Sequence, residues 1–124
     1  MEVLLVEPGK EARIAEIGND LKSLQAAVGG YIEATYPFDD PIALVCNDEG
    51  KIMQMPLNRA LRGDDGRIYD AIAGTFFICG LGEDNFCSLP KDLQAKYLEK
   101  FRWPEKFLSI GGSIVRCHSE IDTM

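Results

Sequence analysis

Residues that could carry catalysis are sparse in this sequence. The one histidine, His118, directly follows Cys117, and two adjacent residues cannot make a nucleophile and an oriented base. We expect His118 to lie on the surface. The four cysteines are far apart and form no Cys-x-x-Cys pair, which favours free thiols over a zinc site or a disulfide framework. The sequence therefore predicts a protein that is not an enzyme and that holds no metal and no cofactor.

Paired carboxylates are the more distinctive polar feature. Four acidic doublets each fall in a predicted turn, where Asp is favoured because its side chain accepts hydrogen bonds from nearby backbone groups. That structural explanation stays open. The functional alternative is that the doublets gather into a surface that imitates nucleic-acid phosphate or docks onto a basic groove. The candidate partner-binding residues are Asp39 and Asp40, Asp48 and Glu49, Asp64 and Asp65, and Glu83 and Asp84.

A second group of residues suits a small ligand. A double glycine beside an aromatic residue allows a close backbone approach, and an aromatic face with an arginine fork suits a base and a phosphate. The candidate ligand-binding residues are Gly30, Tyr31, Asn58, Arg59 and Arg62. A helix-to-strand junction explains the glycines equally well, and Asn58 is also expected to satisfy a nearby turn.

Composition narrows the class of protein. The chain has 124 residues, of which 46% are hydrophobic and 27% charged, so we expect one folded domain over residues 1–124. The formal net charge of -7 repels phosphate backbones and attracts basic surfaces, which argues against direct nucleic-acid binding. The acidic opening segment does not resemble a signal peptide, and no apolar run is long enough to cross a membrane. We expect a cytoplasmic protein.

The elements that must position these residues can be read along the first half of the chain. Residues 3–6 and 12–17 predict an opening hairpin. Asn19 or Asp20 is expected to cap a helix over residues 21–28, which the pair at Gly29 ends. Residues 31–36 and 41–46 predict two strands. Residues 51–55 are expected to pair back, and residues 56–61 to form a short helix with Pro56 near its first turn.

The second half contributes the expected core. Residues 73–79 are apolar on both faces and predict a central strand. A second main helix is expected over residues 88–101, capped by Ser88, and residues 103–117 predict a last hairpin around Gly111 and Gly112. The predicted fold class is α+β, with a small, mostly antiparallel sheet packed against two main helices.

Four segments of the sequence carry a family resemblance. They are the stretch Val-Leu-Leu-Val-Glu-Pro-Gly from Val3, the stretch Leu-Gln-Ala-Ala-Val-Gly-Gly-Tyr-Ile-Glu from Leu24, Asp-Glu-Gly-Lys from Asp48, and Leu-Asn-Arg-Ala from Leu57. Together they resemble the domain-of-unknown-function family DUF3846 from Met1 to about Leu81. The resemblance implies a setting in phages and in mobile elements of gut Firmicutes, and it assigns no catalytic residue.

Two functions of different classes follow. The first is a phage or mobile-element accessory protein that uses its acidic turns to bind and inhibit a basic host factor that handles nucleic acid, such as a CRISPR nuclease or a restriction enzyme. The alternative is a small-ligand binder that sequesters a nucleotide signal. A homo-oligomer also stays open, because Phe38, Phe86 and Trp103 could lie at an interface as well as in the core.

Overall fold

The structure is a computed structural model that describes residues 1–110 and 113–117, with side chains described through residue 107. The described chain contains these elements in order: β1 Glu2–Val6, β2 Arg13–Glu16, α1 Leu21–Val28, β3 Ile32–Thr35, β4 Ile42–Asn47, β5 Leu57–Arg62, β6 Ile68–Ala73, β7 Phe76–Leu81, β8 Phe86–Cys87, α2 Lys91–Phe101, β9 Lys106–Ile110 and β10 Ser113–Cys117.

The main sheet is antiparallel throughout. Its order is β2-β1-β7-β4-β3, and β8 pairs with the end of β7. The central strand is β7, as the apolar sequence predicted, and its residues from Phe76 to Cys79 have no exposed surface. Two hairpins, β5–β6 and β9–β10, form separate two-stranded sheets. The predicted α+β class with mostly antiparallel pairing is confirmed.

Apolar side chains are buried on both faces of the main sheet. On one face, Phe77 and Cys79 pack with Leu24 and Val28 of α1. On the other face, α2 contributes Tyr97 and Phe101, while β5 and β6 contribute Leu61 and Ile72. The helices are short, and the β5–β6 hairpin covers part of the second face beside α2. The predicted packing of the sheet against two main helices is therefore correct only in part, because the β5–β6 hairpin also covers the sheet.

The first helix begins and ends where the sequence predicts. The Asp20 carboxylate accepts a hydrogen bond from the Ser23 amide at the N-terminus of α1. At the C-terminus, Gly29 has φ 77°, and its N–H donates to the Gln25 carbonyl. This left-handed conformation favours glycine because it has no Cβ.

The second helix starts later than predicted. Pro90 precedes α2 and no side chain caps it, so the expected cap at Ser88 is wrong. The Ser88 hydroxyl instead accepts a hydrogen bond from the Glu2 amide at 2.8 Å. A tertiary contact to β1 thus competes successfully with local helix capping.

Residues 51–61 differ most from the prediction. Residues 51–55 form turns instead of a strand, and the expected helix over 56–61 is strand β5, paired with β6. Tertiary contacts override the local helix propensity here, because Asn58 and Arg59 are fully buried and form hydrogen bonds with distant segments. The extended backbone is what lets β5 pair with β6 while it supplies those contacts.

Most of the other predicted hairpins and strand pairs are present. The opening hairpin and the β3–β4 pair are confirmed, and so is the final hairpin, β9 with β10. The expected strand over residues 73–79 is interrupted at Gly74, where the chain passes from β6 to β7. The expected turn at Gly111 and Gly112 and the residue His118 lie outside the described residues.

Cys46, Cys79 and Cys87 are free thiols. Neither of the described helices has the length and apolar character to cross a membrane.

Candidate binding cleft

The four acidic doublets lie in turns or bends, as predicted, but the structure does not bring all of them together. Ile42 at the start of β4 pairs with Gly80 near the end of β7, so Asp39-Asp40 and Glu83-Asp84 lie towards one end of the sheet. Asp48-Glu49 follows the other end of β4, a strand of six residues and about 20 Å. Asp64-Asp65 lies at the tip of the β5–β6 hairpin.

Two of these carboxylates are engaged within the fold. Asp40 accepts hydrogen bonds from the Lys96 ammonium at 2.7 Å and from the Tyr97 hydroxyl at 2.6 Å. The bond from Lys96, followed by that from Tyr97, lowers the pKa of Asp40 below its ordinary value. Asp65 accepts a hydrogen bond from the Arg67 amide within its own turn. For these two residues the structural explanation of the acidic turns applies.

A different acidic group forms at the end of β4. A cleft of about 410 Å³ lies between the β3–β4 pair and β6, and four carboxylates and one ammonium line it. With all of these groups ionised, four negative charges and one positive charge leave the cleft at a formal charge of −3. The lining charges are Glu33 from β3, Asp48, Glu49 and Lys51 from the turn after β4, and Asp70 from β6.

Local contacts fix the turn that carries three of these charges. The Asn47 amide group donates to the Val28 carbonyl at the end of α1, and its oxygen accepts from the Glu49 amide. A Cβ on Gly50 would lie 2.6 Å from the Ala73 carbonyl oxygen. Only glycine permits that close approach, which places the turn directly against β6.

The carboxylates in the cleft repel one another. Burial raises the pKa of Glu33 above its ordinary value, and so do the neighbouring carboxyl group of Asp48 and the charge of Asp70. Lys51 forms an ion pair with Asp70. A further cation in this cleft would relieve the remaining repulsion.

The Cys46 thiol and the Thr35 hydroxyl also belong to residues that line the cleft. Burial raises the pKa of Cys46 to about 11, helped by the charges of Glu33 and Asp48, so this thiol stays protonated at neutral pH. The Thr35 hydroxyl oxygen is buried and has no hydrogen-bond partner among the described residues. Across the part of the chain that the structure describes, no three His, Cys, Asp or Glu side chains could hold a metal ion together.

Large side chains surround this charged centre. Tyr36, Ile52 and Tyr69 line the cleft and are 61%, 81% and 59% exposed. Exposed aromatic and aliphatic groups around a concave site are typical of surfaces that bind another molecule. Three aromatic residues could lie at an oligomer interface. Phe38 packs against Tyr97 with ring centroids 4.9 Å apart, Phe86 packs against the core on the α1 side of the sheet, and Trp103 is 40% exposed.

The residues proposed for a small ligand do not line one cavity. Asn58 and Arg59 are fully buried, and Gly30 lies against the Asn47 side chain. Tyr31 is 72% exposed, and Arg62 lies 3.9 Å from Glu105 in an ion pair. Arg62 lines a second, open groove with Lys51 and Arg67, but each of these cations has a carboxylate partner, which weakens their attraction for a phosphate.

Sequence reasoning found Asp48 and Glu49 but missed Asp70, Tyr36 and Tyr69. Glu33 enters the sequence prediction only as the last residue of the stretch from Leu24 that carries the family resemblance. No local pattern marks these residues as neighbours, because the cleft depends on how the β5–β6 hairpin packs against the main sheet. Glu33 interrupts the apolar residues of the predicted strand over residues 31–36, whereas Asp70 lies outside every predicted strand.

A family model places the chain among known sequences. The model described as a domain of unknown function (DUF3846) matches residues 1–102. The chain belongs to the DUF3846 family. The match extends past the resemblance seen in the sequence, which ended near Leu81, and it contains every residue that lines the acidic cleft. No curated protein and no solved structure is similar enough to the chain to count as a match.

Proposed function

We propose that this DUF3846 protein is a non-enzymatic interaction protein that binds a basic protein partner through the acidic cleft. One observation supports this proposal. The side chains of Glu33, Asp48, Glu49 and Asp70 line one cleft, beside exposed tyrosine and isoleucine side chains. A charged centre with an aromatic rim suits a cationic side chain, which gains ion pairs and ring contacts at the same site.

Arginine suits the cleft better than lysine. Its planar guanidinium can bind a carboxylate with two parallel hydrogen bonds and can stack on an aromatic ring. Tyr36 and Tyr69 supply such rings, and Asp48 and Glu49 supply exposed carboxylates. We therefore expect arginine side chains of the partner to contribute most of the affinity.

The partner that we propose is a basic host protein that handles nucleic acid, such as a CRISPR nuclease or a restriction enzyme. Proteins of this class have positively charged grooves that bind phosphate backbones, and an acidic protein can occupy such a groove in place of the nucleic acid. This function implies a cytoplasmic protein of a phage or mobile element, which inhibits a host defence. The net charge of -7 would accelerate association with a basic surface.

The proposal gives the doublets different roles. Asp48 and Glu49 bind the partner directly, whereas Asp40 stabilises the fold through Lys96 and Tyr97. Asp39, Asp64, Asp65, Glu83 and Asp84 contribute to the long-range field and so affect the rate of association more than the lifetime of the complex.

A pull-down from bacterial host lysate tests this function. The tagged protein is incubated at low and at high salt, and the retained proteins are identified by mass spectrometry. We expect a basic nucleic-acid-handling protein that is retained at low salt and weakened at high salt, and whose nuclease activity falls when the purified proteins are mixed. Retention of no basic protein, or full nuclease activity in the mixture, would contradict the proposal.

A further inference from the structure

The β3 strand forms one open edge of the main sheet. β3 is the last strand in the order β2-β1-β7-β4-β3, and it pairs only with β4 among the described strands. An open edge presents unpaired N–H and C=O groups that an extended chain can bind. This edge adjoins the acidic cleft, because Glu33 and Thr35 of β3 line that cleft.

The register shows which backbone groups face outward. The Asp48 amide donates to the Tyr31 carbonyl, so the pair of Tyr31 with Asp48 is hydrogen-bonded. In an antiparallel ladder such pairs alternate along the strand, so Glu33 and Thr35 also bond to β4. The N–H and C=O groups of Ile32 and Ala34 therefore point away from β4, and no described residue forms a hydrogen bond with them.

An added strand would place one of its side chains close to Glu33. If the new strand is antiparallel and bonds to Ile32 and Ala34, the residue opposite Glu33 belongs to a non-hydrogen-bonded pair. Such pairs have the closer spacing, with Cα atoms about 4.5 Å apart and side chains on the same face. That face carries Glu33, Asp48 and Asp70, so a lysine or arginine fits opposite Glu33 and a carboxylate does not.

We propose that the partner binds by strand addition, with an extended segment that pairs antiparallel with β3 and places a cationic residue opposite Glu33. This inference rests on the proposed function, because it specifies how the basic partner uses the acidic cleft. Ile32 and Ala34 supply the backbone hydrogen bonds. Glu33, with Asp48 beside it, favours a positively charged residue at the facing position of the partner's segment.

A synthetic peptide tests the inference without an identified partner. The probe is a short, end-capped peptide of alternating valine and lysine, which can place lysine opposite Glu33 and valine opposite Ile32 and Ala34. Its matched control is N-methylated at the valine amides, so it has the same charge but cannot donate to β3. We expect the probe to bind and to slow hydrogen exchange at the amides of Ile32 and Ala34, and the control to bind at least about tenfold more weakly.

Two variants of the protein separate the backbone hydrogen bond from the side chain. Ala34→Pro removes an outward N–H and no bond to β4, whereas Ala34→Val changes the side chain and keeps that N–H. We expect Ala34→Pro to bind the probe at least about tenfold more weakly than Ala34→Val does. Thermal unfolding of both variants checks that they fold, and the N-methylated peptide gives the same answer on the unchanged protein.

The outcomes distinguish this inference from the proposed function. If the probe and the N-methylated control bind equally, and Asp48→Asn weakens both, the acidic cleft binds cations and strand addition is wrong. If neither peptide binds and Ile32 and Ala34 exchange at unchanged rates, strand addition is again wrong, while the lysate experiment continues to judge the proposed function by itself.

Discussion

The buried guanidinium of Arg59 joins three segments of the chain. Its Nε donates to the Phe101 carbonyl at the end of α2, and a terminal nitrogen donates to the Lys10 carbonyl in the β1–β2 turn. The other terminal nitrogen donates to the carbonyl and side-chain oxygens of Asn58. Burial lowers the pKa of Arg59, but these carbonyl oxygens replace much of the lost hydration. Arg59 therefore acts in the fold and is not available to a ligand.

Arg59→Lys is expected to destabilise the protein by about 2–3 kcal/mol. A single ammonium cannot satisfy the same set of separated carbonyl oxygens, and each buried acceptor left unpaired costs about 1–3 kcal/mol. The free energy of unfolding in urea measures the change. Arg67→Lys is the matched control because the Arg67 side chain is 89% exposed, and its effect should stay within about 0.5 kcal/mol. Equal effects of the two substitutions would contradict this account of Arg59.

Glu33 gives a residue-scale prediction with a defined pH dependence. Its folded-state pKa is raised above the ordinary value of 4.5, so the ionised side chain disfavours the folded state. This cost is present above the folded pKa and disappears below the unfolded value, where both states are protonated. Glu33→Gln should therefore raise the melting temperature at pH 7 and leave it unchanged near pH 3.

The control for this prediction is Glu99→Gln on the exposed side of α2. Melting curves of both variants and the wild type are recorded across the acidic range. A Glu33→Gln variant that is less stable than the wild type at pH 7, or whose gain persists unchanged at pH 3, would show that Glu33 is not under repulsion in the cleft.

At the scale of elements, Gly74 controls the passage from the β5–β6 hairpin to the central strand. It has φ 81°, and a Cβ at this position would lie 2.7 Å from the Met55 sulfur. Its N–H donates to the Pro56 carbonyl, and this bond lies at the base of the β5–β6 hairpin. The connection therefore needs both the left-handed backbone and the absence of a side chain.

Gly74→Ala is expected to destabilise the protein by more than Gly66→Ala. Both glycines have φ 81°, but a Cβ on Gly66 would have no neighbour within 4 Å. Gly66→Ala therefore reports the backbone strain alone, about 1–2 kcal/mol, and Gly74→Ala adds the contact with Met55. Urea unfolding measures both variants, and equal losses would mean that Met55 moves aside without cost.

The elements that the sequence predicts well are those with local signals. Helix α1 has its cap at Asp20 and its terminator at Gly29, and β7 is apolar on both faces. The sequence predicts a helix where strand β5 forms, because the contacts that hold β5 extended come from Val6, Lys10 and Phe101, which are distant in sequence. Local propensity carries no information about such partners.

For the whole molecule, the sequence predicts the sign of the charge but not where the charge concentrates. The acidic doublets are visible in the sequence, and their turns are correct. Their separation follows from the antiparallel order of β4 and β7, and the cleft follows from the contact of β6 with the turn after β4. Asp70 and Glu33 lie beside Asp48 only because of that tertiary arrangement, which the periodicity of apolar residues in the sequence cannot predict.

The cleft and the far end of the sheet provide two charge changes of equal size. Asp48→Lys with Glu49→Lys alters the cleft, and Glu83→Lys with Asp84→Lys alters exposed residues towards the other end of the sheet. Each double variant raises the net charge by four. Non-specific electrostatic attraction therefore falls equally in both, and any difference between them reports the position of the charge.

The most direct test of the central claim is the affinity of these two double variants for the basic partner, measured by calorimetry at physiological salt. The account predicts that the Glu83 and Asp84 variant binds within a few-fold of the wild type, whereas the Asp48 and Glu49 variant loses at least about a hundredfold, or roughly 2.7 kcal/mol. Equal losses in the two variants would mean that net charge alone drives binding, and an unchanged affinity of the Asp48 and Glu49 variant would contradict the role of the cleft.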